Sequence, residues 1–301
     1  MDVTLTGATG LIGRRLVHAL RERGDGVTVL TRDPDRARAA LGDVAAVAWR
    51  TLDEPAPAAA LEGRDAVVHL AGENVAQRWT DDAKRRIRAS RELGTRNLVA
   101  GLRAAQPRPR ALVASSAVGY YGAHGDEPVT EAAPPGRDFL AEVCAAWERE
   151  AAAAGDLDVR VVHVRTGVVL DRDGGALGKM LPFFRIGAGG PVAGGRQYMA
   201  WIHADDVVGI YLAAIDGEDW RGPVNASAPE PVTNREFSRA LGRALHRPAI
   251  APVPGLAVRL LYGDMAEIVT TGQRAVPERP LALGYAFAHT EVEAALRDAL
   301  R

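Results

Sequence analysis

Three glycines at three-residue intervals, Gly7, Gly10 and Gly13 in TGATGLIG (6–13), carry the most direct chemical signal in this chain. A glycine at a strand end permits a tight turn, a second lets a pyrophosphate approach the backbone, and a third lets the following helix pack close to the sheet. The helix N-terminus, with its exposed N–H groups, favours the phosphate charge. The loop residues Gly7, Thr9, Gly10, Leu11, Ile12 and Gly13 are therefore candidate cofactor contacts. The second strand run ends in LTRDP, where Thr31 and Arg32 stand about where an acid would bind a ribose 2′-hydroxyl. A guanidinium pairs with a 2′-phosphate, so this end favours NADP(H) over NAD(H). The opposing reading leaves Arg32 in solvent, with Asp33 or Asp35 in the acid's role. The single cysteine, Cys144, lies in RDFLAEVCAAWERE (137–150). With Phe139, Leu140, Val143 and Trp147 it makes an apolar stripe at helical spacing, the pattern of a packed thiol; a reactive thiolate would need a nearby cation such as Arg91. The seven histidines show no metal-ligand spacing, and no metal is expected.

The elements that must position these residues read as follows. Strand-like runs at 2–7, 27–32, 65–72, 111–117 and 159–167 alternate with helical segments, among them 11–24 and 81–105. Near-continuous Val/Leu/Ala runs between helices imply a parallel sheet covered on both faces: an α/β, Rossmann-type doubly wound fold. Past Thr166 the alternation fades into a smaller, mixed C-terminal, substrate-side region. A glycine-rich stretch (171–197), read as a loop or lid with a short helix, precedes a helix at 203–215 and another at 234–245 capped by Thr233 or Asn234. The composition of the 301 residues, 47% hydrophobic and 25% charged with net charge −1, is that of a globular protein and offers no basis for nucleic-acid binding. One cysteine excludes an internal disulfide, and no apolar run approaches the ~20 residues of a membrane span. A strand beginning at Asp2 leaves no room for a signal peptide, and a cytoplasmic protein is the expectation.

These motifs resemble the short-chain dehydrogenase/reductase superfamily in its extended, epimerase-like branch. The likeness extends over nearly the whole chain through TGATGLIG, DAVVHLAG (65–72), SSAVGYYG (115–122) and WIHADDVV (201–208). It is narrowed to an atypical subgroup labelled nucleoside-diphosphate-sugar epimerase-like by GENVAQRW (72–79), DFLAEVCAAWE (138–148), RTGVVL (165–170) and QRAVPERPLALGYAF (273–287); the last lies in a C-terminal domain of unassigned role. The resemblance implies an NADP-binding Rossmann domain over 1–166, with 201–228 returning to it, and a substrate-side region over 167–200 and 229–301. It also places Leu70, Ala71, Gly72 and Arg165 beside the cofactor, and implies a homodimer through 81–105 and 138–154.

Superfamily enzymes carry a tyrosine and, four residues later, a lysine on the helix after the serine-bearing strand. The tyrosine moves a proton as hydride is transferred, and the lysine lowers its pKa. Aligning Glu148 with the acid that follows that lysine puts Leu140 at the tyrosine position and Cys144 at the lysine position. Neither substitute can do the original chemistry. The serine maps to Ser116 (or Ser115), the usual asparagine maps to Arg91, and Tyr120 and Tyr121 are the nearest replacement proton donors. Glu73 and Asn74 follow the LAG turn, and Asp205 or Asp206 is expected to cap the helix they begin. The implied function is an NADP(H)-dependent oxidoreductase or epimerase acting on a small polar or nucleotide-linked molecule, with Ser116, Arg91, Cys144 and Tyr120 as candidate catalytic residues. The alternative is a non-catalytic NADP(H)-binding sensor or structural protein.

Overall fold

The strand β1 (Asp2–Thr6) lies near the middle of a sheet built largely from short apolar runs. In the computed structural model, which describes residues 1–301, the sheet also contains β2 (Gly26–Thr31), β3 (Ala45–Ala48), β4 (Ala66–His69), β5 (Ala111–Ala117), β7 (Arg160–Thr166) and β11 (Gly222–Ala226). Their order is β11-β7-β5-β4-β1-β2-β3, and every neighbouring pair is parallel. The chain winds outward on one side from β1 to β3, then returns past β1 to β4 and winds the other way. This reversal leaves a crevice at the C-terminal ends of β1 and β4, where such sheets bind ligands.

Both faces are covered, which explains the lack of polar alternation in the strands. On one face α1 (Leu11–Glu22), α2 (Pro34–Leu41) and α6 (Ala204–Asp216) bury Leu16, Leu20, Ala37, Ile210 and Tyr211 against Val3, Leu5, Val68 and Val164. On the other, α3 (Asp81–Ala104) and α4 (Phe139–Ala152) bury Leu98, Leu102 and Ala151 against Leu30, Val67 and Leu112. Caps place these helices: Thr80 accepts from Ala83 N at the start of α3, and Asp138 from Ala141 N at the start of α4.

The remaining chain forms a smaller layer around a separate core. Short ladders join β8 (Val168–Leu170) to β10 (Trp201–His203), β9 (Tyr198–Met199) to β12 (Val232–Thr233), and β6 (Pro128–Val129) to β13 (Arg274–Ala275). With them go α5 (Gly175–Arg185), α7 (Asn234–Ala244), α8 (Gly255–Tyr262), α9 (Ala266–Thr270), α10 (Glu278–Ala282) and α11 (Val292–Ala299). Leu177, Phe184, Trp201, Phe237, Leu241 and Leu296 fill that core. Of the two caps considered for α7, Thr233 is the one used, in a reciprocal capping box with Glu236. At α6 the expected Asp cap gives way to His203, whose Nδ1 accepts the Asp205 N–H at 3.2 Å. No helix is long and apolar enough to cross a membrane.

Candidate functional site

The turn between β1 and α1 needs glycine for steric reasons visible in its surroundings. Gly7 has φ +68°, and a Cβ there would lie 2.6 Å from the Leu70 carbonyl carbon. A Cβ on Gly13 would lie 2.5 Å from the Gly7 carbonyl oxygen. Gly10 is the N-cap of α1 and supplies no side-chain cap, so first-turn N–H groups are left for a ligand. These residues open onto a cavity of about 350 Å³ that Leu11, Ile12, Leu70, Ser115, Val168 and Gly175 also line. The Thr6 hydroxyl accepts from both Leu70 N and Ala71 N (3.2 Å each) and bonds His69 Nδ1 at 2.7 Å, which anchors the LAG turn to the first strand. His69 is fully buried, and its pKa is pushed down to about 4, chiefly by burial and secondarily by Arg91.

At the end of β2, Arg32 is exposed and has no acidic partner, while Thr31 is half-buried. The two acids that could have served a ribose diol are engaged elsewhere. Asp33 caps α2 by accepting from Arg36 N at 3.0 Å, and Asp35 pairs with Arg38 at 2.9 Å.

The serine assignment is corrected by the pleat of β5. Successive residues point to opposite faces, and it is Ser115 that lines the cavity. Ser116 is 3% exposed and donates to Glu148 Oε1 at 2.7 Å, directed at α4 and away from the cleft. Cys144 is corrected as well. It is buried on α4, and burial, only partly offset by Arg91, pushes its thiol up to about 12, so it is no thiolate near neutral pH. Leu140, at the tyrosine position, packs under Gly119, where a Cβ would lie 2.6 Å from Leu140 Cδ2.

Arg165 likewise does not line the cavity and is engaged inside the protein. Its Nε and Nη2 grip both oxygens of Glu148 at 2.8 Å, and its Nη1 donates to the Tyr121 hydroxyl (3.0 Å) and the Glu131 carbonyl (3.2 Å). Tyr121 in turn donates to Asn225 Oδ1 at 2.6 Å, and burial pushes its phenol up to about 12. Tyr121 is therefore part of this buried network. Tyr120 is half-buried, lies on the Arg165 guanidinium at 3.5 Å from the ring centroid, and its hydroxyl bonds nothing in the protein.

Arg91 reaches inward from α3 over the Trp147 ring (4.9 Å) and against Gly72. Its Nη1 donates to the carbonyls of Glu73 (3.0 Å) and Ile87 (3.3 Å), which leaves Nε and Nη2 without protein acceptors. Burial lowers its pKa, with Cys144 and Glu73 opposing the shift, and it stays a cation. Glu73 receives Gln77 Nε2 at 3.1 Å, and Asn74 Oδ1 accepts from Ala76 N, so both shape the loop after the LAG turn. The cavity also takes in Gly167, Val168, Gly175 and Ala176, which sequence reasoning did not single out. Their signal was RTGVVL together with the paired glycines of the 171–197 stretch, since Gly174 and Gly175 pack on Leu11 of the first helix.

A doubly wound parallel sheet with a glycine turn feeding an uncapped helix N-terminus defines a Rossmann-type nucleotide-binding protein. Residues 3–225 match the family model described as the NAD dependent epimerase/dehydratase family, and residues 253–299 match a domain of unknown function (DUF1731). This chain belongs to the NAD dependent epimerase/dehydratase family, in the extended short-chain dehydrogenase/reductase fold that its motifs resemble. It is 41% identical over 299 residues to the chloroplastic homolog of epimerase family protein SDR39U1 from Arabidopsis thaliana, covering 99% of this chain and 86% of the relative. To human epimerase family protein SDR39U1 it is 38% identical over 303 residues, covering 99% of each. The crystal structure of the human protein (isoform 2) with NADPH matches with a TM-score of 0.89 at 35% identity, over 99% of each chain.

Proposed function

We propose that this protein binds NADP(H) in the cleft above β1 and β4 and acts as an oxidoreductase or epimerase-like enzyme on a small polar or nucleotide-linked molecule. The observation that carries the cofactor reading is the unpaired Arg32 beside a glycine turn in which a Cβ on Gly7 or Gly13 would collide with backbone, with Asp33 and Asp35 both engaged elsewhere. The pairing of the human relative with NADPH supports it. The pyrophosphate would rest on the free N–H groups of Leu11 and Ile12 at the start of α1, and the 2′-phosphate on Arg32, with Thr9, Gly10 and Thr31 beside them. Leu70, Ala71 and Gly72 would form the floor near the nicotinamide, which supplies the hydride chemistry when bound. Residues 1–166 with 201–228 make up the cofactor-binding part in this reading; 167–200 and 229–301 flank the substrate.

Around the reacting carbon, Ser115 would orient a substrate oxygen, and the free Nε and Nη2 of Arg91 would stabilise negative charge developing there. The proton is delivered by the Tyr120 hydroxyl or by water, since Leu140 and Cys144 cannot supply it. That same absence favours a second reading, an NADP(H) sensor with little turnover.

The test is calorimetry of NADPH and NADH on the wild type and Arg32→Ala. A hydrogen bond to a charged group is worth ~1.5–3 kcal/mol, so NADPH affinity should fall roughly 10- to 100-fold while NADH affinity changes little. Equal losses for both dinucleotides would overturn the assignment. NADPH oxidation with a panel of carbonyl compounds then separates enzyme from sensor. Turnover lost in Arg91→Gln supports the first reading, and tight binding without turnover across the panel supports the second.

A further inference from the structure

The protein buries two arginines, and only one of them has a counter-ion. Arg165, on β7, is neutralised by Glu148, whose two oxygens its Nε and Nη2 hold at 2.8 Å each. Arg91, on α3, is 9% exposed and pairs with no carboxylate. Its Nη1 donates to the carbonyls of Glu73 (3.0 Å) and Ile87 (3.3 Å) and lies 3.5 Å from the Ser90 hydroxyl. A guanidinium keeps its charge at any ordinary pH, and burying a charge without a partner is costly. The open edge of Arg91 is the same Nε/Nη2 fork with which Arg165 grips a carboxylate.

The ring beside that guanidinium also lacks a partner. Trp147 is buried, its ring centroid lies 4.9 Å from the Arg91 guanidinium carbon, and its Nε1 bonds no acceptor. A buried N–H left unpaired is rare. Two neighbouring side chains thus hold three nitrogens with unmet N–H groups: Nε and Nη2 of Arg91 and Nε1 of Trp147. The guanidinium also lies against Gly72, where a Cβ would press on Nη2 at 3.2 Å. A group that satisfies these donors must be an acceptor, match a planar fork, and carry one negative charge for one cation. A carboxylate meets all three conditions. A phosphate dianion would need a second cation, and Arg165 is already neutralised by Glu148.

We propose that the substrate carries a carboxylate next to its reacting carbonyl carbon, and that Arg91 holds this carboxylate through its Nε/Nη2 fork. The proposal rests on the reading above, in which Leu70, Ala71 and Gly72 form the floor near the nicotinamide. With Nη2 against Gly72, the carboxylate lies beside the reacting carbon. In a 2-oxo carboxylate the carbonyl oxygen and one carboxylate oxygen can lie on the same side, so the fork spans both. Charge that develops on the carbonyl oxygen then falls on the same guanidinium. On reduction the carbonyl carbon gains hydride from the bound cofactor, and its oxygen gains a proton supplied by the Tyr120 hydroxyl or water. The products are a 2-hydroxy carboxylate and oxidised cofactor. Arg91 thereby sets specificity, because an uncharged counterpart leaves the cation buried and unpaired.

The test uses full-length protein saturated with oxidised NADP, so that no turnover consumes the ligand. A series of 2-oxo carboxylates from pyruvate to phenylpyruvate is titrated by calorimetry, each beside its uncharged methyl ester, with inorganic phosphate as the control anion. At least one carboxylate should bind roughly tenfold or more tightly than its ester, and more tightly than phosphate. Arg91→Lys keeps the charge but loses the fork; it should weaken that carboxylate roughly 10- to 100-fold and leave NADP affinity unchanged. Trp147→Phe keeps an aromatic ring and removes the unmet N–H; it should weaken the carboxylate roughly tenfold, and it carries the test if Arg91→Lys fails to bind NADP. Esters that bind as well as the acids, no binding across the series, tighter binding of phosphate, or a preference unchanged in both variants would each refute the carboxylate and leave the cofactor reading standing. Wild-type protein that binds no NADP would overturn that reading and this one with it.

Discussion

The buried pair of Arg165 and Glu148 yields the sharpest prediction. Arg165 is 3% exposed and Glu148 about as hidden, and two 2.8 Å bonds join guanidinium to carboxylate, with Ser116 as a further donor. Replacing Glu148 with Gln keeps the shape but strands a buried cation, and the new amide N–H₂ opposes an Arg165 donor. Removing one partner of a buried pair costs ~3–5 kcal/mol. An unfolding entropy of ~2.1 cal/mol/K per residue over 301 residues converts this into about 5–8 °C of melting temperature. Arg165→Met should cost a similar amount, because Glu148 is then left with only the Ser116 hydroxyl. Glu148→Gln combined with Arg165→Met removes both charges. It still strands the Glu131 carbonyl and the Tyr121 hydroxyl that Nη1 served, so it should cost only ~1–3 kcal/mol. Denaturant melts of the four proteins form a double-mutant cycle, whose expected coupling is several kcal/mol. If the double variant loses the sum of the two single losses, the pair is not a mutually compensating buried charge pair and the reasoning fails.

Other outcomes follow from single contacts. Gly13→Ala must push a methyl into the Gly7 carbonyl, so it should lose ~1–3 kcal/mol of stability and weaken NADPH binding at least tenfold, both readable in one ligand-dependent melt. Cys144 should resist iodoacetamide in the native state near pH 8 and react within the usual time only in denaturant; rapid native alkylation would contradict its burial. His69 stays neutral down to about pH 4 in the fold but takes a proton near 6.5 when unfolded. Its stabilising effect is therefore complete at neutral pH and is lost progressively as pH falls from about 6.5 to 4, by ~3 kcal/mol. In His69→Asn the stability difference between pH 7 and pH 4.5 should shrink by about 2–3 kcal/mol, and an unchanged difference would rule out this residue as the source.

What could be read along the chain was local. The glycine turn, the strand runs of the sheet and the Arg32 end of β2 depend on neighbours within a few residues, and their geometry follows directly from residue type. The pleat of β5 did not, because a strand buried on both faces has no polar alternation to tell which of Ser115 and Ser116 faces the crevice. Arg165 misled for a related reason: its partner Glu148 sits 17 residues earlier on a different element, and only the packing of α4 on β7 turns an apparent ligand contact into an internal ion pair. The stacking of His203 on His289 was not legible either, because only the folding of the C-terminal region onto α6 brings the two rings together.

These misreadings share a physical origin that bears on the chemistry. Helix α4 carries Leu140 and Cys144 at the positions where the resemblance to the wider superfamily implies its proton-transfer pair, and it also carries Trp147 under Arg91 and Glu148 under Arg165. Helix α4 thus meets two cations: Arg165, locked to Glu148, and Arg91, which lies on Trp147 with Nε and Nη2 lacking protein acceptors. In the proposed reading, such a site would stabilise negative charge with a fixed guanidinium, with no acid of tuned pKa on that helix. Its rate should therefore show little dependence on pH between 6 and 8, and a bell-shaped profile centred there would mean that an acid–base pair operates from elsewhere in the cleft.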